Sequence, residues 1–227
     1  MDSSYDFDSN MAVVVAGDIP DPRDRESYLT ALERVLVDAH LAMGGSVLTL
    51  FTNRRDMEDL YARVEPKMAR AGLELNCQQR NSSPRRLRDR FINEPTSSLF
   101  ALKAFWEGFD ASGETLRCVI IPKLPFSSPT DPLSGAAILI LAAFVPAVSA
   151  LFNSLPEAVL EVKQAAGRLI RSSTDCGVLI LADPRLVTKG YGKKFLTSLP
   201  TSSYQRIESA QIGHYLQLWR ARHERRR

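Results

Sequence analysis

Apolar and polar positions alternate along the chain in blocks that favour strands and helices in turn. Short apolar runs of strand length are bounded by turn residues. Longer segments repeat apolar residues at helical spacing, as at Leu29, Leu32 and Leu36. The predicted strands are 11–16, 46–51, 73–78, 98–105, 116–121 and 177–182, and the predicted helices are 26–43, 53–71, 84–92 and 156–172.

This alternation predicts an α/β fold, with a mostly parallel sheet that helices cover on both faces. In such sheets ligands bind at the carboxyl ends of the strands. Polar residues follow three of the predicted strands at Thr52–Asn53, Trp106–Asp110 and Asp183–Arg185. We expect Asp183 and Arg185 to form a structural ion pair that supports the helix over 156–172.

Composition is that of one globular domain. The chain has 227 residues, of which 44% are hydrophobic and 24% charged. We expect a polar arm at 1–10, the domain at 11–203 and a basic tail at 204–227 that the sheet does not need. A net charge of +3 is too mild to identify a nucleic-acid binder. Arginines cluster at 80–90, which predicts a solvated helix face that favours a polyanion nearby.

Cys77, Cys118 and Cys176 lack metal-ligand spacing and are predicted to be buried thiols of a reducing compartment. The polar start is unlike a signal peptide, which favours the cytoplasm. Residues 135–152 carry no charge and approach the length of a membrane span. Because Pro146 interrupts them, a buried or poorly ordered helix is the preferred interpretation and no membrane contact is expected.

The chemistry-bearing motif is Gln164-Ala-Ala-Gly167-Arg168-Leu-Ile-Arg171. On a helix, positions 164, 168 and 171 fall on one face, and Gly167 leaves room for close approach. Arginine stays charged and pairs bidentately with phosphate oxygens, so this face suits a triphosphate. An amphipathic helix with two solvated arginines explains the same spacing.

The chain has no phosphate-binding loop of the G-x-x-x-x-G-K-[ST] kind, and Gly190-Tyr-Gly192-Lys193 has the wrong spacing. Arginines without such a loop make chemical sense as half of a bipartite ATPase. We therefore expect the ATP and its Mg²⁺ to be bound mainly by another, Walker-containing domain.

Four segments, in order, resemble the second motor domain of superfamily 2 helicases of the DinG and XPD type. They are Ser46 to Asn53, Ala104 to Asp110, Ile121 to Phe126, and Gln164 to Arg171 continuing through Asp183-Pro-Arg185 to Leu196. The resemblance implies a RecA-like three-layer sandwich and an ATP-dependent DNA helicase. Relatives of this type commonly hold an iron–sulfur cluster in the first domain, and three cysteines cannot build one here.

The resemblance also implies roles for individual residues. Arg168 and Arg171 would act as catalytic arginine fingers on ATP that the first domain holds. DNA contacts would come from Thr52, Asn53 and Trp106, although helix capping explains Thr52 or Asn53 and a core position explains Trp106. The residues expected at the nucleotide are Gln164, Gly167, Glu107, Gly108 and Asp110.

The expected function is that of a motor domain that is inactive alone and contacts single-stranded DNA. Two alternatives remain. One is a stand-alone nucleic-acid-binding module without ATPase activity, and the other is a membrane-attached accessory protein that uses residues 135–152.

Overall fold

The structure is a computed structural model that describes residues 6–102, 105, 115–126 and 146–224, and of residues 146–153 only the helical backbone. Seven strands form one sheet within these residues. They are β1 (Met11–Ala16), β2 (Val47–Phe51), β3 (Glu74–Cys77), β4 (Ser97–Leu102), β5 (Cys118–Ile121), β6 (Gly177–Leu181) and β7 (Gln205–Ile207).

The helices connect these strands in the alternating order that the sequence predicts. They are α1 (Phe7–Asn10), α2 (Arg25–Met43), α3 (Arg54–Arg70), α4 (Pro84–Asn93), α5 (Pro146–Gly167), α6 (Arg185–Thr188), α7 (Gly192–Ser198) and α8 (Ile212–Glu224). Sequence signals account for several ends. Asp24 and Ser83 accept hydrogen bonds from the first turns of α2 and α4, and Gly44 ends α2 in the left-handed conformation.

All neighbouring strands pair in parallel, in the order β3-β4-β2-β5-β6-β1-β7. The five interior strands β4, β2, β5, β6 and β1 are almost fully buried, as expected where helices cover both faces. Every carboxyl end therefore lies at one edge of the sheet and every amino end at the other. The predicted α/β class with a parallel sheet is confirmed.

Two separate apolar cores lie on the two faces of the sheet. Alternate strand residues point to opposite faces, so Val14 and Ile180 belong to one core while Val15 and Leu181 belong to the other. The first core is completed by α2, α3 and α8, and the second by α4, α5 and α7. The result is the three-layer sandwich that the sequence predicts.

The prediction that the sheet does not need the residues after 203 is wrong. β7 pairs with β1 as the edge strand, and α8 packs against α2 through buried Ile212, Leu216 and Trp219. The polar arm is also attached, because the Asp8 carboxylate accepts hydrogen bonds from Thr201 Oγ1 and from the backbone N–H of Ser202. Both ends of the described chain are thus part of the folded unit.

No helix in the described part of the chain is long and apolar enough to cross a membrane. Residues 135–145 of the uncharged segment lie outside the described residues, and α5 begins at Pro146. Cys77 and Cys118 are buried as predicted, Cys176 is half-buried, and all three are free thiols.

Gly45 is expected to be intolerant of a side chain. It has φ +106°, and an added Cβ would lie 2.6 Å from the backbone of Thr96. Gly45→Ala should lower the free energy of unfolding by about 3 kcal/mol, because strain and a backbone clash act together. Gly72 is the matched control, since it has φ +72° but no described atom within 4 Å of an added Cβ. Gly72→Ala should cost only about 1 kcal/mol in urea unfolding, and equal losses would contradict the clash.

His40 should make the fold sensitive to acid below neutral pH. Burial lowers its pKa to about 4, and its Nδ1 contacts the carbonyl oxygen of Leu36 at 2.6 Å. The unfolded ring takes up a proton near its ordinary pKa of 6.5, whereas the folded ring resists protonation until about pH 4. Stability from the neutral ring is therefore complete above pH 6.5 and lost as the pH falls toward 4.

Between pH 7 and pH 5 this histidine should lower the free energy of unfolding by about 2 kcal/mol. Urea unfolding gives the free energy of unfolding of wild type and of His40→Leu at both pH values. The loss due to His40 is the change between pH 7 and pH 5 in wild type minus the same change in the variant. His214→Gln is the control, because His214 is exposed. If His40→Leu loses as much stability as wild type between pH 7 and pH 5, other groups cause the acid sensitivity.

Candidate functional site

The candidate arginines lie in a turn between α5 and β6, not on a helix as predicted. α5 ends at Gly167, and the N–H groups of Arg168 and Leu169 donate to the carbonyls of Ala165 and Ala166 at 3.2 and 3.1 Å. Leu169 and Ile170 then turn into the core, where each is 2% exposed. The prediction that positions 164, 168 and 171 share one helical face is therefore wrong, because the helix ends before the two buried apolar side chains.

Asp175 fixes this turn. Its Oδ2 accepts hydrogen bonds from the backbone N–H groups of Arg171 and Ser172, both at 2.9 Å, and Asp175 is 5% exposed. The sequence analysis missed this residue. The small polar run from Ser172 to Thr174 before it is typical of a turn and was the available signal.

The turn presents charge near solvent. Gln164 and Gly167 are exposed, while Arg168 and Arg171 are half-buried. Burial lowers the pKa of the Arg168 guanidinium, yet arginine remains charged at any working pH. No described atom lies within 4 Å of a Cβ built on Gly167, so the backbone there is open. Two guanidiniums and an amide in this setting are chemically suited to phosphate oxygens.

The arginine turn lies at the amino edge of the sheet. It precedes β6 directly, and Asn10, the residue before β1, donates from Nδ2 to the carbonyl oxygen of Ser173 at 3.3 Å. Thr52 and Asn53 follow the carboxyl end of β2 and lie at the opposite edge. Among the described residues, those predicted for the nucleotide and those predicted for DNA therefore lie at opposite edges of the sheet.

Asn53 is the N-cap of α3. Its Oδ1 accepts from the backbone N–H of Asp56 at 2.8 Å, and its Nδ2 donates to Asp56 Oδ2 at 2.6 Å. The other carboxylate oxygen of Asp56 accepts from the Arg25 guanidinium at 2.9 Å. The capping interpretation is thus confirmed for Asn53, and the hydroxyl of half-buried Thr52 is the neighbouring polar group.

Asp183 and Arg185 form the predicted ion pair. The guanidinium of Arg185 contacts both carboxylate oxygens of Asp183, with the shortest N···O distance 2.6 Å. Their other partners lie in the loop after β5, where Leu124 N–H donates to Asp183 at 2.7 Å and Arg185 lies 4.9 Å over the Phe126 ring. The pair therefore stabilises this loop at the carboxyl edge, which corrects the expectation that it supports the helix with the arginines.

The remaining predicted residues, Trp106, Glu107, Gly108 and Asp110, lie outside the described residues. In the basic cluster, Arg85 is 91% exposed and Arg90 pairs with Glu74 at 2.7 Å, which agrees with a solvated helix face on α4. The described ranges contain no group of three or more histidine, cysteine or acidic residues that could hold a metal ion.

Known proteins resemble this chain in sequence. Residues 36–202 match the helicase C-terminal domain family. The ATP-dependent DNA helicase YoaA of Escherichia coli (strain K12) is 36% identical over 204 residues, which are 87% of this chain and 30% of that protein. The 3'-5' exonuclease DinG of Bacillus subtilis (strain 168) is 31% identical over 219 residues, 95% of this chain and 23% of that protein. The chain thus spans less than a third of these relatives.

Solved structures share the fold. A structure of XPD helicase has a TM-score of 0.63 at 21% identity and covers 87% of this chain and 35% of its own. Dbp5 of S. cerevisiae bound to RNA and ADP BeF3 has a TM-score of 0.58 at 14% identity, covering 94% of this chain and 45% of its own. These neighbours identify the parallel sandwich as a RecA-like helicase fold. With the family match over most of its length, this chain belongs to the helicase C-terminal domain family, as a relative of the DinG and YoaA proteins.

Proposed function

We propose that this chain is the second motor domain of an ATP-dependent DNA helicase of the cytoplasm. It supplies Arg168 and Arg171 as arginine fingers to ATP that a Walker-containing first domain binds together with Mg²⁺. The observation that carries the proposal is the anchored turn after α5, which holds both arginines at one edge of the sheet. Alone, the domain has no loop to bind the triphosphate and is inactive.

The chemistry of the fingers is electrostatic. Negative charge spreads over the γ-phosphate oxygens in the transition state, and guanidiniums fixed nearby stabilise that charge without reorganising. Asp175 contributes indirectly, because it holds the backbone of Arg171 and so limits where that side chain reaches. Gln164 contacts the phosphate region or the attacking water, and open Gly167 allows close approach.

Nucleic acid binds at the opposite edge in this proposal. Thr52 offers a hydroxyl at the carboxyl end of β2, and such groups commonly contact phosphate oxygens. Asn53 orients this segment through its cap on α3. Trp106 stacks on a base, while Glu107, Gly108 and Asp110 contact the nucleotide or relay its state.

The test joins this chain to the Walker-containing first domain of a DinG-type relative in one polypeptide. We expect ATP hydrolysis that single-stranded DNA stimulates, and no hydrolysis by the chain alone. The same experiment tests the alternative of a stand-alone nucleic-acid-binding module. Such a module would bind DNA, and ATP would have no effect on the separate chain or on the two-domain protein. ATP hydrolysis by the purified chain alone would contradict the proposed division of labour.

A further inference from the structure

An open cavity of about 370 Å³ lies beside the edge strand β3, apart from the arginine turn and from the Asp183–Arg185 pair. Its lining comes from α3, from the last residue of β3 and from the loop that follows β3. The lining residues are Glu58, Tyr61, Cys77, Gln79, Arg80 and Asn81. This volume falls within the roughly 300–1,000 Å³ of small-molecule sites. Two other cavities, both near β7, have volumes of about 340 and 180 Å³.

The lining combines one aromatic ring with polar side chains that are available for a ligand. Within the described residues the side-chain amides of Gln79 and Asn81 make no hydrogen bond, and Arg80 has no acidic partner. An amide offers both donors and an acceptor, which are the groups that pair with the edge of a nucleobase. The three consecutive side chains 79–81 therefore give this cavity hydrogen-bonding capacity and a positive charge.

Tyr61 and Cys77 form a fixed and uncharged floor of the cavity. The Tyr61 ring meets buried Phe100 edge-on, with centroids 6.4 Å apart, so its position is held by the core. Burial raises the pKa of the Cys77 thiol to about 12, which keeps this group neutral. A fixed aromatic ring beside a neutral thiol suits the π-face of a base, and base–aromatic stacking is how single strands are commonly held.

Arg54 links the cavity to the segment proposed to contact DNA. Arg54 follows Asn53 directly, donates to the carbonyl oxygen of Gln78 at 2.9 Å and pairs with Glu58 at 3.6 Å. The charge of Glu58 at the cavity is thereby offset. On the other side, the loop leads into α4, whose exposed arginines add positive charge.

From these observations we propose that the cavity binds one unstacked base of a single-stranded nucleic acid. The strand runs from the Thr52–Asn53 segment toward α4, and its base inserts between Tyr61 and the amides of Gln79 and Asn81. This inference rests on the proposed function. It adds a second base-contacting site, beside the edge strand β3, to a track that Thr52 and Trp106 otherwise define.

The test measures binding of the 227-residue chain to two labelled strands of equal length by fluorescence anisotropy at several salt concentrations. One strand is oligothymidylate, and the other has the same backbone without bases. We expect wild type to bind oligothymidylate about tenfold more tightly than the abasic strand. The double variant Gln79→Ala/Asn81→Ala should weaken this preference, leaving what stacking on Tyr61 and Trp106 contributes, and should keep the salt dependence, because no phosphate contact is removed.

Two controls separate base contacts from charge. Gln217→Ala removes an exposed amide from α8 and should leave both affinities unchanged. Arg86→Ala removes an exposed charge from α4. It should weaken the binding of both nucleic-acid strands equally and make the salt dependence of binding shallower.

The outcomes distinguish this inference from the function on which it rests. A base preference that is as strong in the double variant as in wild type, or a wild-type chain that binds both strands equally, overturns the cavity assignment and leaves the motor function standing. A wild-type chain that binds neither strand at low salt overturns the proposed nucleic-acid track, and the cavity assignment with it.

Discussion

Arg168→Ala in the two-domain protein is expected to lower kcat for ATP hydrolysis by about 10³-fold or more, with nucleotide affinity close to wild type. Removing a guanidinium that acts mainly on the transition state lowers kcat, whereas most ground-state affinity comes from the domain that binds the triphosphate. Arg168→Lys should recover little of the rate, because an ammonium group cannot form the bidentate contact of a guanidinium. The measurements are DNA-stimulated ATP hydrolysis and binding of a labelled nucleotide.

Lys163→Ala is the matched control for this variant. Lys163 is exposed on α5 and carries the same charge, so its loss tests a general electrostatic effect near the turn. We expect its kcat to stay within about twofold of wild type, as for an exposed charge with little interaction energy. Normal turnover by Arg168→Ala would refute the finger assignment, even if the domain is required for activity.

Asp183→Ala is expected to lower the free energy of unfolding by about 3–5 kcal/mol, since it breaks a buried ion pair from one side. Asp183 is 1% exposed, and its carboxylate also accepts hydrogen bonds from the N–H groups of Leu124 and Arg185. Burial alone would lower the pKa of the Arg185 guanidinium, but the Asp183 carboxylate outweighs this and raises it. Alanine leaves this charge uncompensated and the Leu124 N–H without an acceptor.

Urea unfolding with two independent probes measures this loss and checks that unfolding is two-state. The control is Asp18→Ala, which removes an exposed carboxylate that accepts from Ser209 N–H and Oγ without a cationic partner. It should cost only about 1 kcal/mol. The double variant Asp183→Ala/Arg185→Ala should lose less than the sum of the two single losses, and strict additivity would mean that the pair is not coupled.

The order of strands and helices was predictable because buried parallel strands leave unmistakable apolar runs, as at Val47–Phe51. The end of α5 was not, because the apolar spacing continues through Leu169 and Ile170. Only the fold reveals that Leu169 packs over Gly177, where an added Cβ would lie 2.7 Å from Leu169 Cδ2. That contact draws the chain off the helix axis before Arg171.

The C-terminal segment was misjudged for a different reason. β7 has three residues, and exposed Gln205 and Arg206 give it no apolar pattern. The spacing of Ile212, Leu216 and Trp219 did carry the signal of a packed helix. At the candidate site, residue types predicted which arginines to consider, but not that Asp175, four residues after Arg171, orders their turn. The polar run before Asp175 indicates a turn, yet the apolar spacing through Leu169 and Ile170 favoured a continuing helix.

The placement of the arginine turn and of Thr52 on opposite edges has a mechanical consequence. Five-residue strands such as β2 and β6 separate the two edges by about 17 Å, and their tightly packed interior does not deform continuously. A force applied by a ligand at one edge therefore displaces the other edge through a rigid-body motion of the whole sandwich. Under the proposed function, a change at the nucleotide would reach the DNA as a rigid-body tilt of this domain against the first domain.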